Sequence, residues 1–298
     1  MSKPQLTVVI PAVNTLDDLV GCIDALVVQR NDCDVEILVV NRLGDSVRED
    51  IAGRFDDIKF VPVDSKTTIP EMRAIAFDQA LGENIAVIED HVIAPPGWAT
   101  SMLNALNSNV DIVGGSVENA ATETLLDWAA FLCEYSHCIP PLQSGVVPWL
   151  TGNNVIYRSE LLKKHKDAIA EGKWENHLHD AIMASGTSLI CDPEIVIGHK
   201  KHYTFAEYMS QRYLYARSYA GARVIGASMS KRIFYGCAAF ILPPLLFYRI
   251  VTRILSKGRH KKLLYKSLPL ISLFVTSWAV GEVVGYWAGA GDSLSKVC

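Results

Sequence analysis

Acidic residues are missing from one long stretch of this 298-residue chain, because none occurs between Glu207 and Glu282. Residues 208–298 hold 13 lysines and arginines but only two acids, whereas residues 1–207 hold 15 bases and 30 acids. A basic, apolar tail after an acidic domain favours a membrane surface as its partner. The acidic part has no basic motif interleaved with aromatic residues, so nucleic acid is not an expected partner.

Several other features that would set the class of protein are also absent. The seven cysteines are odd in number and scattered, which predicts reduced thiols of a cytosolic compartment. The first residues, MSKPQLTVVIPAVN, have too short an apolar run for a signal peptide. No Gly-x-Gly-x-x-Gly follows the first predicted strand, which disfavours a dinucleotide-binding fold.

What the first 90 residues do contain is a regular alternation of apolar strands and amphipathic helices. Near-continuous apolar runs predict parallel strands that are covered on both faces. Strands are predicted over 6–11, 35–40, 58–63 and 84–88, with helices over about 16–29, 46–54 and 69–80 between them. This order predicts an α/β fold with a doubly wound, mostly parallel sheet and a nucleotide-binding N-terminal half.

Three polar residues, Glu89, Asp90 and His91, follow the strand 84–88 where it ends. Ligands of open α/β sheets bind just outside the carboxyl ends of the strands. Two carboxylates and an imidazole there suit Mg²⁺ or Mn²⁺ carrying a diphosphate. The alternative is a strand that ends in a solvated acidic turn.

The stretch Asn84 to Trp98, NIAVIEDHVIAPPGW, resembles the metal-binding segment of glycosyltransferase family 2, the GT-A type nucleotide-sugar transferases. That family usually has an apolar strand, then Asp-x-Asp, then a Pro-Pro-Gly-Trp-like turn. Here His91 replaces the last acid. The resemblance covers about residues 6–217 and implies a GT-A fold, with a metal site formed by Asp90, His91 and His199. Glu89 is then expected to contact the substrate or assist the metal.

The same resemblance places the sugar-nucleotide donor at loops that follow strands. Pro11, Ala12 and Asn14 would contact the base and ribose. Asn41 occupies the approximate place of an acid that binds the base in the family, so the choice of base stays open. Arg73 matches an arginine on the helix before the metal strand, and would pair with a diphosphate or a loop carboxylate.

The resemblance also implies an acceptor side. Gly152 and Asn153 resemble the Gly-x-Asn strand under the acceptor site, and Glu175 aligns with the acid that takes the proton from the acceptor hydroxyl. Asp180 is a second catalytic candidate, although five residues along a helix need not share a face. A segment like a degraded Gln-x-x-Arg-Trp motif adds Gln211 and Arg212 as substrate-binding residues, without implying polymerisation.

Together these features imply a membrane-associated, metal-dependent and inverting glycosyltransferase. Its donor would be a nucleotide-diphospho-sugar, and its acceptor a lipid, a glycan or another hydroxyl compound. We expect a catalytic domain over 1–220 and a membrane-associated helical tail over 221–298. Two alternatives remain: a catalytically weakened relative that binds sugar nucleotide or serves as a membrane scaffold, and a nucleotidyltransferase.

Two apolar stretches, 234–248 and 267–291, define the tail. The first is short for a spanning helix and is interrupted by Pro243-Pro244, and the second contains Glu282. Basic loops stay cytosolic, and the catalytic domain must be cytosolic to meet sugar nucleotides. We therefore expect the first stretch to dip into the near leaflet and return at the proline pair. The second would span or form a shallow hairpin, with the catalytic domain on the cytoplasmic face.

Overall fold

The structure, a computed structural model, describes residues 3–106 and 109–297. The chain divides into two compact units. The first unit comprises Met1–Ala120 and Cys138–Lys200, and the second comprises Ala121–His137 and Lys201–Cys298. This division differs from the boundary predicted at residue 220, which falls inside a long helix that belongs entirely to the second unit.

Strands and helices alternate along the first unit as the apolar pattern predicts. The strands are β1 (Leu6–Ala12), β2 (Val35–Asn41), β3 (Ile58–Pro62), β4 (Asn84–Val87), β5 (Val92–Ile93), β6 (Ile112–Asn119), β7 (Gly145–Val147), β8 (Val155–Arg158) and β9 (Leu189–His199). In chain order, the helices of both units are α1 (Leu16–Val27), α2 (Asp45–Ala52), α3 (Ile69–Gln79), α4 (Trp98–Ala105), α5 (Leu125–Tyr135), α6 (Ser159–Lys164), α7 (Lys166–Ala170), α8 (Glu175–Ala184), α9 (Phe205–Arg223), α10 (Met229–Ala238), α11 (Leu242–Lys257) and α12 (Lys261–Ala288).

One sheet organises the first unit, with the strand order β3-β2-β1-β4-β8-β6-β9-β5 and β7 also paired with β9. Strands β1 to β4 are parallel to one another, and β8 runs antiparallel between β4 and β6. Every residue of β1 is buried, as its continuous apolar run predicts. The mostly parallel α/β fold predicted from the sequence is confirmed.

Two local features of the first unit differ from the prediction. The two-residue strand β5 was not predicted, because so short a pairing leaves no periodic pattern. Residues 159–170 form two short helices, α6 and α7, with a break at His165 that the sequence does not predict. The strand β5 matters for the site, because it pairs with the end of β9.

The second unit is helical, with Tyr208, Phe274 and Ala130 at one of its apolar contacts. Residues 229–257 and 261–288 are each long and apolar enough to cross a membrane, which is weak support for such a role. Pro243 and Pro244 lie in the first turn of α11, where a missing N–H costs nothing, and the chain stays helical through them. The return expected at the proline pair is therefore corrected, since the chain turns between α11 and α12, at Gly258 to His260.

Candidate active site

Asp90 fastens the loop after β1 to the end of β4. Because β1 and β4 pair in parallel, the carboxyl ends of the two strands lie side by side. Asp90 is fully buried, and its Oδ2 accepts hydrogen bonds from the backbone N–H of Val13 at 2.7 Å and of Asn14 at 2.8 Å. Its Oδ1 accepts from Asn14 Nδ2 at 2.6 Å. Burial by itself raises the pKa of Asp90, but the hydrogen bond and charge of His91 and these donors lower it overall, so the carboxylate stays ionised.

Glu89, His91 and His199 form a cluster at the same edge. The pairing of β5 with β9 sets Val92 opposite His199, which brings the two imidazoles together. His91 Nε2 lies 2.8 Å from His199 Nε2, and Glu89 Oε2 lies 3.4 Å and 3.8 Å from these two nitrogens. Both histidines are buried, while Glu89 is partly exposed. Three ligand atoms of mixed oxygen and nitrogen character thus converge on one point.

This cluster fits a single divalent ion. Neighbouring ligands that lie ~2.1 Å from one octahedral ion are about 3 Å apart, and the three atoms here are 2.8, 3.4 and 3.8 Å apart, so a small closure would bring them onto one ion. Burial alone lowers the pKa of His91, but hydrogen bonds to Asp90 and Glu89 and the charges of both raise it to about 9. An ion would take the place of that proton, since metal ligands must be deprotonated.

Asp90 and Glu89 differ in the partners of their carboxylates. The hydrogen bonds from Val13, Asn14 and His91 already use both oxygens of Asp90. Asp90 thus holds the loop and the ring of His91, while Glu89 Oε2 faces the two histidines. Asp90 is fully buried whereas Glu89 is partly exposed. Two adjacent acids in a sequence do not show which of them is buried.

A second centre pairs Glu175 with Arg73. Glu175 begins α8, and its Oε2 lies 2.8 Å from Nη1 of Arg73 on α3. The Arg73 side chain is 9% exposed and that of Glu175 is 18% exposed, so the carboxylate can be reached from a cleft. The lining of this cleft consists of Pro70, Arg73, Phe77, Val87, Gly152, Tyr157, Ala168, Ile169, Lys173, Glu175 and Leu178. The structure therefore pairs Arg73, expected at a diphosphate or a loop carboxylate, with the candidate base.

The loop before β8 connects the two centres. Asn153 Nδ2 donates to Glu89 Oε2 at 2.9 Å, and the adjacent Gly152 lies against the side chain of Glu175. A Cβ at Gly152 would come within 2.5 Å of Glu175 Cδ, so any larger residue would force the Glu175 side chain to move. Asn154 anchors the loop by accepting from Trp98 Nε1 at 3.0 Å. Two adjacent residues of one loop, Gly152 and Asn153, thus connect the Glu175 cleft with the cluster of Glu89, His91 and His199.

The other candidates for donor binding fall into two groups. Pro11 and Ala12 are buried at the end of β1, next to the loop that Asp90 holds. Asn41 is also buried, and its amide bonds within its own loop, donating to Gly44 O at 2.9 Å and accepting from Leu43 N at 3.0 Å. Asn41 therefore shapes the loop that follows β2.

Three further candidates, Asp180, Gln211 and Arg212, have other contacts. Asp180 is exposed on α8 and does not line the cleft of Glu175. Gln211 and Arg212 belong to the second unit, where Gln211 Nε2 donates to Lys296 O at 3.4 Å and Arg212 Nη1 lies 3.3 Å from Glu134 Oε2. Asp180 is thus a surface residue of the first unit, while Gln211 and Arg212 form contacts within the second.

Sequence reasoning noted His179 as a titratable residue but did not pair it with Tyr157. Tyr157 and His179 are buried, and Tyr157 Oη lies 2.8 Å from His179 Nε2. Burial, followed by the nearby charge of Arg73, lowers the pKa of His179 to about 4 although Glu175 opposes it, so the ring is neutral. Glu175 and His179 are four residues apart on α8, so their spacing could have placed His179 next to Glu175.

Comparison with known protein families gives one match for the chain. A family model described as "Glycosyl transferase family 2" matches residues 7–165, which contain the Asp90 loop, Glu89, His91 and the Gly152 loop. Comparison with curated proteins gives no match.

Solved structures are similar in fold. A mannosyltransferase from Pyrobaculum calidifontis, determined with GDP-Man and Mn²⁺, superposes with a TM-score of 0.56 at 15% identity, and the alignment covers 94% of this chain and 87% of that one. GalNAc-T7, determined with UDP, GalNAc and Mn²⁺, gives a TM-score of 0.51 at 12% identity, over 67% of this chain and 44% of that one. At such identities, the likeness supports the GT-A fold alone.

Proposed function

The chain belongs to glycosyltransferase family 2, and from that premise we propose that it moves a sugar from a nucleotide-diphospho-sugar to an acceptor hydroxyl, with inversion and with the help of Mn²⁺. The observation that carries this proposal is the convergence of Glu89, His91 and His199 beside the loop that also contacts Glu175. One edge of the sheet then offers both a cation site for a leaving diphosphate and a carboxylate for the acceptor.

Glu89, His91 and His199 would hold the metal ion. When bound, the ion supplies positive charge that stabilises the leaving diphosphate. Mn²⁺ suits this set better than Mg²⁺, because two of the three ligands are imidazoles and Mg²⁺ prefers oxygen. The two similar structures were both determined with Mn²⁺, which agrees with this choice.

The loop held by Asp90 would bind the nucleotide. Pro11, Ala12 and Asn14 lie where β1 ends, and Asp90 fixes the backbone of Val13 and Asn14 by two short hydrogen bonds. A preorganised loop loses little freedom when a ligand binds. The nucleotide would therefore meet a rigid surface beside the metal ligands.

Glu175 would act as the general base. The Arg73 guanidinium, with Nη1 2.8 Å from Glu175 Oε2, fixes the orientation of the carboxylate. In the proposed step, the acceptor oxygen bonds to the anomeric carbon as that carbon's bond to the diphosphate oxygen breaks. The acceptor proton passes to Glu175 and the nucleoside diphosphate leaves. We retain Asp180 only as a comparison, because it is exposed outside the cleft.

The second unit would attach the enzyme to the cytoplasmic face of a membrane. Residues 229–257 and 261–288 are long and apolar enough to span, and large apolar side chains of the first segment are exposed, among them Phe234, Phe240 and Tyr248. The region is also strongly basic, which suits anionic lipid headgroups.

Release of nucleoside diphosphate tests the proposed activity. Purified full-length protein with Mn²⁺ is incubated with a panel of nucleotide sugars, as wild type, Glu175→Gln and Asp180→Asn. We expect release with at least one donor, a fall of about 10²-fold or more in Glu175→Gln, and near-normal release in Asp180→Asn.

Three other results would point elsewhere. Donor binding without release by the wild type would favour a sugar-nucleotide-binding relative. Pyrophosphate as the product would indicate a nucleotidyltransferase. A normal Glu175→Gln together with an inactive Asp180→Asn would make Asp180 the base.

A further inference from the structure

A cavity inside the second unit has no part in the site described above. It lies among α5, α9, α11 and α12, and its polar side comprises Glu134, Ser136, His137, Arg212, Arg249 and Arg253. We propose that this cavity binds the phosphate group of a membrane lipid, with the arginines on the phosphate and the apolar wall along the lipid chain.

The charge of the cavity suits an anion. Arg212 faces the one carboxylate of the lining, that of Glu134. Arg249 and Arg253 form no ion pair with any residue in the described ranges 3–106 and 109–297. Lys257 Nζ adds a further cation nearby by donating to the backbone oxygen of His137 at 3.3 Å. Arginine binds phosphate well because its planar group can donate two parallel hydrogen bonds.

The surroundings of His137 report the same positive potential. The pKa of His137 is lowered to about 3, first by burial and then by the charges of the neighbouring arginines and lysine. The ring is therefore neutral and adds no positive charge, although it sits among cations. An anion in the cavity would relieve the repulsion among those cations.

Two buried polar atoms at the cavity have no hydrogen-bond partner among the described residues. They are Ser136 Oγ, in a fully buried side chain, and Arg212 Nε. A buried hydroxyl or N–H without a partner is costly, and most such groups find one. Phosphate oxygens can accept from both, so a bound phosphate would satisfy the two donors.

The opposite wall explains why the phosphate would be attached to a lipid. Leu246, Arg249, Ile250 and Arg253 follow the spacing i, i+3, i+4 and i+7, so they share one face of α11. Apolar and cationic side chains therefore alternate on that face, and Phe274, Val275 and Trp278 of α12 complete the apolar lining. Arg212 stacks on Trp278, with its Cζ 4.4 Å from the ring centroid. Inorganic phosphate would leave this wall uncovered.

The test uses the full chain in a non-ionic detergent, with thermal unfolding as the readout. Short-chain phosphatidic acid is titrated against wild type and against the double variant Arg249→Gln/Arg253→Gln. We expect a saturable rise in the midpoint of wild type, since a ligand of the folded state stabilises it. The double variant should bind about tenfold more weakly or worse, because it loses two charged donors. Arg249→Lys/Arg253→Lys, which keeps the charge, should recover part of the affinity.

The matched control is Lys261→Gln/Lys262→Gln, which removes two exposed charges of the same tail outside the cavity. It should respond like wild type. Both arginines of the test variant are exposed and lie among other cations, so its midpoint without lipid should be at or above that of wild type.

Equal responses of all variants, or equal stabilisation by short-chain diacylglycerol, which has no phosphate, would overturn the site. Equal stabilisation by inorganic phosphate would overturn the assignment to a lipid. The inference rests on the proposed membrane association but not on sugar transfer. Failure here with normal release of nucleoside diphosphate would therefore leave the transferase proposal intact.

Discussion

Gly152→Ala should separate the catalytic role of Glu175 from the metal site. The new Cβ would lie 2.5 Å from Cδ and 2.6 Å from Cγ of Glu175. Carbon atoms in contact are normally ~3.5–4.0 Å apart, so the side chain must move by about 1 Å. The atoms that clash belong to a flexible side chain, so the fold can absorb the change, but the ion pair with Arg73 at 2.8 Å cannot stay as it is.

A displacement of about 1 Å in a catalytic group costs roughly 10²-fold in rate. We therefore expect kcat of Gly152→Ala to fall about 10²-fold, with the KM for the donor and the affinity for Mn²⁺ close to wild type. Steady-state release of nucleoside diphosphate, calorimetric titration of Mn²⁺ and thermal unfolding measure the three quantities. The matched control is Gly21→Ala on α1, where a Cβ meets only Ile93 Cδ1 at 3.8 Å; it should keep full activity and unfold at the same or a higher temperature.

The double variant Gly152→Ala/Glu175→Asp checks the cause. If the clash acts through Glu175, the two losses should not add, since both changes displace the same carboxylate. Full activity of a folded Gly152→Ala would refute the reasoning, because a carboxylate forced to move cannot be the positioned base. A loss of Mn²⁺ affinity equal to the loss of rate would instead place the effect on the Asn153–Glu89 contact.

Three further outcomes follow from the geometry. Glu89→Gln should lower the affinity for Mn²⁺ by about two orders of magnitude, and Asp90→Asn by only about tenfold, as calorimetry would measure. Asp90→Asn should instead lower the free energy of unfolding by about 2 kcal/mol in urea, since an amide cannot accept from all the donors it faces. Equal losses of Mn²⁺ affinity would contradict the assigned roles. The pKa of His179 is about 4 in the folded chain against 6.5 in the unfolded chain, so its contribution to the free energy of unfolding is full above about pH 6.5 and is lost as the pH falls toward 4. His179→Gln should remove this loss, which is at most about 3 kcal/mol. Urea unfolding across that pH range would disprove it if wild type and variant lose the same free energy of unfolding. The protein should pellet with membranes, resist a high-salt wash and require detergent for release; in sealed vesicles, a cysteine at position 260 that reacts only from the non-cytosolic side would show that residues 229–257 span.

Strand-end positions were predictable from the sequence because apolar runs mark strands and polar residues mark their ends. This is why the α/β fold is confirmed and why Glu89, Asp90 and His91 follow the carboxyl end of β4. The partners of Asp90 were not predictable, since the donors Val13 and Asn14 lie 77 and 76 residues away in the chain.

The remaining differences come from pairings that leave no sequence pattern. The ladder of β5 with β9 is two residues long, yet it sets His199 against His91. The contacts of Gly152 and Asn153 also depend on long-range packing, and the catalytic, binding and metal residues stay predictions. In the tail, hydropathy located the apolar stretches, but the proline pair suggested a turn where the helix continues, because a proline in a first turn does not break a helix.

Pulsed electron paramagnetic resonance of the Mn²⁺-loaded protein with a bound nucleotide sugar tests the central claim most directly. It detects magnetic nuclei next to the ion, so histidine nitrogen and diphosphate phosphorus are observed together. The account predicts coupling to the nitrogens of two histidines and to phosphorus, with one nitrogen lost in His199→Gln. Coupling to phosphorus without any histidine nitrogen, or no coupling to phosphorus in the donor complex, would contradict it.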